Sequence, residues 1–168
     1  AIAVTLAAEV TDARVIAIDL SPAALDVARY NAARHSVADR VTFWNGDLLT
    51  PLLNASALLT NLSRDADITI CANLPYGTTA EWQALSPSIT NYEPRIAIDG
   101  GEDGLDPYRR FLNQLTVLLS RQPQHLTVYF EIDPRRETAL TALVQQVLPT
   151  WRTTIHHDLA GHARILAM

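Results

Sequence analysis

Residues 14–25 read Arg14-Val15-Ile16-Ala17-Ile18-Asp19-Leu20-Ser21-Pro22-Ala23-Ala24-Leu25, and their order decides the fold. A short apolar run that closes on an acid suits a strand covered on both faces. Ser21-Pro22 then supplies an N-cap and a proline for the first helical position. The predicted helix continues to about Arg34, with Ala24, Leu25, Ala28 and Ala32 on one face. A strand that hands directly to a helix is the building unit of a parallel sheet.

The alternation continues outward. A second strand is predicted at 40–44, closing at Asn45-Gly46-Asp47, and a third at 67–72, running into Asn73-Leu74-Pro75-Tyr76. Asp106-Pro107 is predicted to cap a helix whose stripe is Tyr108, Phe111, Leu112, Leu115, Leu118 and Leu119, a 3.6-residue period. Residues 125–132 read as a strand. Asp133-Pro134 opens a further helix with Leu140, Leu143, Val144, Val147 and Leu148 inside. Two last strands, about 151–157 and 163–167, flank Asp158-Leu159-Ala160-Gly161-His162 and can pair antiparallel. The fold class is α/β, a mostly parallel sheet with an antiparallel pair at its end. Ala1 to Glu9 reads as a helix without a cap or a preceding strand. A doubly wound nucleotide-binding sheet places a strand and a glycine-rich turn there. No Gly-x-Gly-x-x-Gly occurs, so the expectation is a chain that starts just past that loop, with the first strand missing.

The chain has 168 residues, the size of one domain, spanning 1–168. A hydrophobic share of 48% with 18% charged residues excludes wholesale disorder. A single Cys, Cys71, excludes an internal disulfide and a Cys-rich zinc site. No apolar run approaches a membrane span, and Ala1 to Ala8 lacks the basic leader of a signal peptide, so the expected location is the cytoplasm. All thirteen basic residues are Arg, and the net charge is −5. That balance argues against a protein that grips long nucleic acid, which demands a clustered basic surface. Arg109/Arg110 and Arg135/Arg136 read as solvated helix faces.

Ligands of such sheets bind beyond the carboxyl ends of the strands. Asp19 stands at one such end, where a carboxylate can accept from two ribose hydroxyls or cap the loop before Ser21. Asp47 stands at the next, placed to accept from an exocyclic amine of a base or to close a turn, with Leu48 beside it as apolar surface. Asn73-Leu74-Pro75-Tyr76 fits the Asn/Asp/Ser-x-Pro-aromatic pattern of methyltransferases that act on a planar nitrogen. Such a nitrogen has a delocalised lone pair and attacks poorly. Acceptance of its two N–H bonds, by the Asn73 side-chain oxygen and the Leu74 carbonyl, holds it in line and stabilises its developing charge. Pro75 restricts Leu74 to extended backbone, and Tyr76 can stack on the planar group. Glu131 reads as a cleft or cap residue, Cys71 as packing, His156-His157 as a strand end without metal partners. Residues 99–104 read as a turn ahead of a helix.

These pieces resemble the catalytic domain of the HemK-type protein-glutamine methyltransferases, which modify the Gly-Gly-Gln motif of peptide chain release factors. The match runs nearly end to end. It covers Ala1-Ile2-Ala3-Val4, residues 16–25, Ala28-Arg29-Tyr30-Asn31-Ala32, Gly46-Asp47-Leu48, the Asn73 tetrapeptide, residues 92–105, Tyr108-Arg109, Phe130-Glu131-Ile132 and residues 158–162. The stretch from Glu93 to Leu105 is the most specific to the family. The resemblance implies a Rossmann-like fold and S-adenosylmethionine as methyl donor, with Asp19 at its ribose, Asp47 and Leu48 at its adenine side and Asn73 at the target amide. It implies a release factor as partner. Leu74 departs from the family's usual Asn-Pro-Pro-Tyr; the carbonyl survives the change, whereas some rigidity is lost. Without the glycine loop, the chain is expected to hold the donor weakly or not at all, even where its parent protein is active. Two rival readings are an adenine-amino methyltransferase of RNA or DNA, where Asn-Leu-Pro-Tyr is commoner and the base must be flipped out, and a non-catalytic binding module.

Overall fold

A computed structural model of the chain describes residues 1–55, 67–120 and 125–168. They fall into two compact units, Ala1–Leu62 and Ser63–Met168. The first unit runs α1 (Ile2–Glu9), β1 (Val15–Asp19), α2 (Pro22–Arg34), β2 (Val41–Asn45) and α3 (Thr50–Asn54). The Ser21 side chain caps α2, accepting the Ala24 N–H at 3.2 Å, and Pro22 begins the helix as the sequence predicts. β1 and β2 pair in parallel from Val15↔Val41 to Asp19↔Asn45, with α2 as their connection. Val4, Ala7, Ala32, Val37 and Val41 form the core, with Ala17 and Phe43 packed against them. Two expectations fail here. Ala24 is exposed, so the inner face of α2 is Leu25 and Ala32. β1 is not covered on both faces, because Ile16 is exposed.

The second unit runs β3 (Asp67–Asn73), α4 (Thr79–Ala84), α5 (Pro87–Thr90), a 3₁₀ turn at Arg95–Ala97, α6 (Asp106–Leu119), β4 (His125–Glu131), a 3₁₀ turn at Pro134–Arg136, α7 (Glu137–Val147), β5 (Thr154–His157) and β6 (Ala163–Ala167). Its sheet has the order β3-β4-β6-β5. β3 and β4 are parallel over seven residue pairs, Asp67↔His125 to Asn73↔Glu131. β6 lies antiparallel to both β4 and β5, so the tail forms the antiparallel pair that was expected. Tyr108, Phe111, Leu112, Leu115 and Leu118 of α6 are buried, as the helical period predicts. Tyr108 and Phe111 meet Phe130 of β4 edge-on, with ring centroids 5.3 and 4.9 Å apart. Val128, Leu166, Leu140 and Val144 complete this core without exposure.

One helix start differs from its reading. Asp106 is the first residue of α6 rather than its cap, and the N-cap position is Leu105. Asp103 does the work instead. Its Oδ1 accepts the Leu105 N–H at 3.1 Å and an Arg109 N–H at 2.9 Å, which holds the incoming loop against the first turn. Asp133, by contrast, opens its segment as predicted, accepting the Arg135 N–H at 2.8 Å.

Candidate active site

In the first unit the carboxyl ends of β1 and β2 are tied together. Asn45 Nδ2 donates to the carbonyls of Asp19 and Leu20, each at 3.0 Å, and the Gly46 N–H donates to Asp19 O at 3.1 Å. Asp19 is exposed, and its Oδ1 accepts the Ser21 N–H at 2.8 Å. It therefore closes the loop, while its acceptor capacity exceeds that one bond, since a carboxylate takes about four. Asp47 and Leu48 are half-buried in the turn after β2. Leu48 has φ of 51°, a left-handed backbone that costs an L-residue about 1–2 kcal/mol. Bulky residues hold such a conformation where surrounding structure imposes it.

In the second unit Asn73 is the last residue of β3, opposite Glu131, and it is exposed. Its side-chain amide forms no hydrogen bond among the described residues. Leu74 turns the other way and is 8% exposed, so its side chain anchors the segment and only its backbone is left for chemistry. The Leu74–Pro75 bond is trans. Asn73, Leu74, Pro75 and Tyr76 together form one wall of a cavity of about 560 Å³. Glu81, Trp82 and Leu85 of α4 and its C-cap form a second wall; Glu93, Ala97, Ile98 and Arg135 complete the lining. That volume lies within the range of small-molecule sites and exceeds one glutamine side chain.

The loop at 98–104 braces the tetrapeptide from behind. Gly77 N–H donates to Ile98 O at 3.0 Å, and Gly100 N–H returns a bond to Gly77 O at 2.7 Å. Thr79 N–H reaches Gly101 O at 2.9 Å, and the Thr79 hydroxyl reaches Asp99 Oδ1 at 2.9 Å. A side chain on Gly100 would put its Cβ 2.5 Å from Pro75 O, and one on Gly104, where φ is 77°, would strike Tyr76 O. Only glycines let the loop approach this closely. The stretch read as a turn ahead of a helix is thus also the scaffold of the candidate site. Asp99 is held below the usual carboxylate range by the Gly101 N–H and by Arg95.

Charges lock the other side. Thr78 and Glu81 form a capping box on α4: Thr78 Oγ1 accepts the Glu81 N–H at 3.0 Å, and Glu81 Oε2 accepts the Thr78 N–H at 2.8 Å. Glu81 also receives Arg135 Nη1 at 2.5 Å and Arg136 Nη2 at 2.9 Å, while Arg135 pairs with Asp133. The Thr78 N–H and both guanidiniums hold the Glu81 carboxyl low. Burial raises the Tyr76 hydroxyl above its ordinary pKa, and Glu131 and Asp133 raise it further. Tyr108 donates to Glu131 O at 2.8 Å, fixing the strand end behind Tyr76, and burial pushes its own pKa up strongly.

Arg135 and Arg136 lie in a 3₁₀ turn and pair with acids; Arg135 stays solvated as its sequence suggests, with 63% of its side chain exposed, whereas Arg136 is half-buried. Glu81, Trp82 and Arg135 are cavity residues that the sequence reading missed. The Thr78-x-x-Glu81 pattern was a signal available for α4, since it is a capping-box spacing. Cys71 is half-buried, and desolvation raises its thiol pKa. His156 and His157 end β5 and are exposed. Among the described residues no three His, Cys, Asp or Glu side chains gather to hold a metal ion, and no helix is long and apolar enough to cross a membrane.

A mixed α/β chain dominated by parallel pairing, with an exposed amide at a strand's carboxyl end, fits a methyltransferase fold. The chain is 34% identical to the release factor glutamine methyltransferase of Bacillus anthracis over 99% of its length and 54% of the relative's. It is 47% identical to that of Moorella thermoacetica over 98% of its length and 53% of the relative's. The protein of the same name from Geobacter sulfurreducens is 43% identical over 64% of this chain and 34% of the relative. No family model matches. The chain is thus similar over nearly its whole length to proteins named release factor glutamine methyltransferase, and it spans about half the length of these curated relatives.

Proposed function

We propose that residues 1–168 belong to the catalytic domain of an S-adenosylmethionine-dependent methyltransferase acting on a protein glutamine. The target is the Gly-Gly-Gln motif of a peptide chain release factor, in the cytoplasm. The fold is the Rossmann-like one of this class. The observation that carries the reading is the exposed, unbonded Asn73 amide at a cavity built from its own tetrapeptide. The donor, when bound, supplies an electrophilic methyl group on a sulfonium.

This chain's residues supply position and charge. Asn73 Oδ1 accepts one N–H of the target amide, and the Leu74 carbonyl accepts the other. The nitrogen's lone pair is thereby aimed, and positive charge building on it meets two oxygen dipoles. Tyr76 closes over the planar amide. Asp19, with acceptor capacity beyond its Ser21 bond, suits a ribose diol. Asp47 and Leu48, in the turn after β2, suit the edge and face of an adenine. Names of relatives and this donor set support the reading together.

The test is methyl transfer from labelled S-adenosylmethionine to a release factor, with the modified residue mapped by mass spectrometry. Label on the glutamine of Gly-Gly-Gln supports the assignment. Label on adenine of an added RNA, with the release factor untouched, would replace it with nucleic-acid methylation.

A further inference from the structure

Arg135 has five N–H donors. Nε–H goes to Asp133, 2.9 Å from Oδ1 and 3.1 Å from Oδ2; one hydrogen of Nη2 goes to Asp133 Oδ2 at 2.5 Å; one hydrogen of Nη1 goes to Glu81 Oε1 at 2.5 Å. Three donors are thus committed to two carboxylates, which fixes the plane of the guanidinium. Two donors, one on each terminal nitrogen, have no partner among the described residues, and Arg135, with 63% of its side chain exposed, is one of the residues that line the cavity. Its net charge is also spoken for. Glu81 and Asp133 contribute −2, and Arg135 and Arg136 contribute +2, so the quartet is neutral. A neutral cluster does not attract an ion; it offers two directed N–H bonds, which suit uncharged carbonyl oxygens.

We propose that Arg135 is a substrate-binding residue that donates its two remaining N–H bonds to main-chain carbonyls flanking the target glutamine. The inference rests on the glutamine reading and deepens it. A cavity larger than one side chain needs something to hold the neighbouring peptide, and Trp82 and Leu85 supply the apolar surface on which that peptide lies. A pre-set guanidinium loses little freedom on binding, so it selects peptide-borne glutamine over free amides.

The test is calorimetric titration of the 168-residue chain with two probes, a heptapeptide centred on Gly-Gly-Gln and butyramide, which carries the side-chain amide but no main-chain carbonyl. Arg135→Ala is expected to weaken the heptapeptide about a hundredfold, two hydrogen bonds at about tenfold each, and to leave butyramide unchanged. Arg135→Lys, which keeps the positive charge but loses the fork, is expected to fall between, and it serves if the alanine variant does not fold. Equal affinity of wild type and both variants for the heptapeptide, equal losses for both probes, or no heptapeptide binding by the wild type would each overturn the proposal. Heptapeptide binding that depends on Arg135 without glutamine methylation would uphold the docking role and sink the reaction instead.

Discussion

Gly100→Ala separates the brace behind the tetrapeptide from the rest of the fold. The added Cβ would lie 2.5 Å from Pro75 O and 3.0 Å from Gly104 O, both backbone atoms that no rotamer change can move. Relief requires the Pro75 carbonyl to retreat by about half an ångström, a forced overpacking that costs about 2 kcal/mol. For a chain of this size that lowers Tm by about 4–8 °C. The same displacement shifts Leu74 and Asn73 relative to the target. Since about 1 Å of misplacement costs roughly a hundredfold in rate, half of it costs about tenfold. The control is Gly161→Ala, in the β5–β6 turn. There φ is 82° but nothing lies within 4 Å, so the variant carries only a backbone cost of about 1 kcal/mol and no rate change. Thermal melting followed by circular dichroism, with methyl transfer to a release factor measured on the same samples, checks both. A Gly100→Ala protein that melts and turns over like wild type, or two glycine variants that behave alike, would refute the close-approach reasoning.

Asn73→Ala is expected to lower methyl transfer about 10²–10³-fold by removing an acceptor of developing charge, while Tm changes little because the side chain is exposed and unbonded; a large fall in Tm would mean a structural role. Leu112→Ala empties a site with no exposure in the core of the second unit and is expected to cost about 2–5 kcal/mol in denaturant melts, against less than 1 kcal/mol at exposed Val117. Ser21→Ala removes the Ala24 N–H acceptor and is expected to cost about 1 kcal/mol in the first unit, read by hydrogen exchange of the α2 amides. The Asp103 carboxyl is held at about 2, chiefly by its hydrogen bond from Arg109. A folded pKa below the unfolded one gives stability that is present above about pH 4 and lost as pH falls through about 2. Asp103→Asn is therefore expected to flatten the acid limb of a Tm-against-pH curve in that window and to match wild type at its acid end.

Periodicity carried most of the fold. The α6 stripe and the apolar runs of β3 and β4 were readable because burial follows the helix and strand repeats directly. Caps were less secure. Asp106-Pro107 has the composition of a helix start, but Asp103, three residues earlier, holds the loop, and which acid is nearer the Leu105 N–H depends on a loop conformation set by Gly101 and Gly104. The exposed Ile16 shows the limit of reading a strand's coverage from its own residues, because coverage depends on what packs against it. At the candidate site, the place of Asn73 at a strand's carboxyl end was legible, because the apolar run of β3 stops there. Arg135 was not, since its partner Glu81 lies 54 positions away and charge pairing at that range leaves no local pattern. The bracing role of residues 98–104 was hidden for the same reason: glycines mark a tight place without naming the neighbour.

The placement of β6 between β4 and β5 bears on when this unit can mature during synthesis. Val128 and Met168 exchange backbone bonds at 2.8 and 2.9 Å, so the inner edge of β4 is satisfied only by residues made some forty positions later. Until those residues leave the ribosome, β4 offers an open, apolar-flanked edge, the kind of surface that invites pairing with other nascent chains. Late closure of this sort leaves the β4 edge unpaired while the residues between β4 and β6 are made, and makes β6 the place where a small deletion would do disproportionate harm.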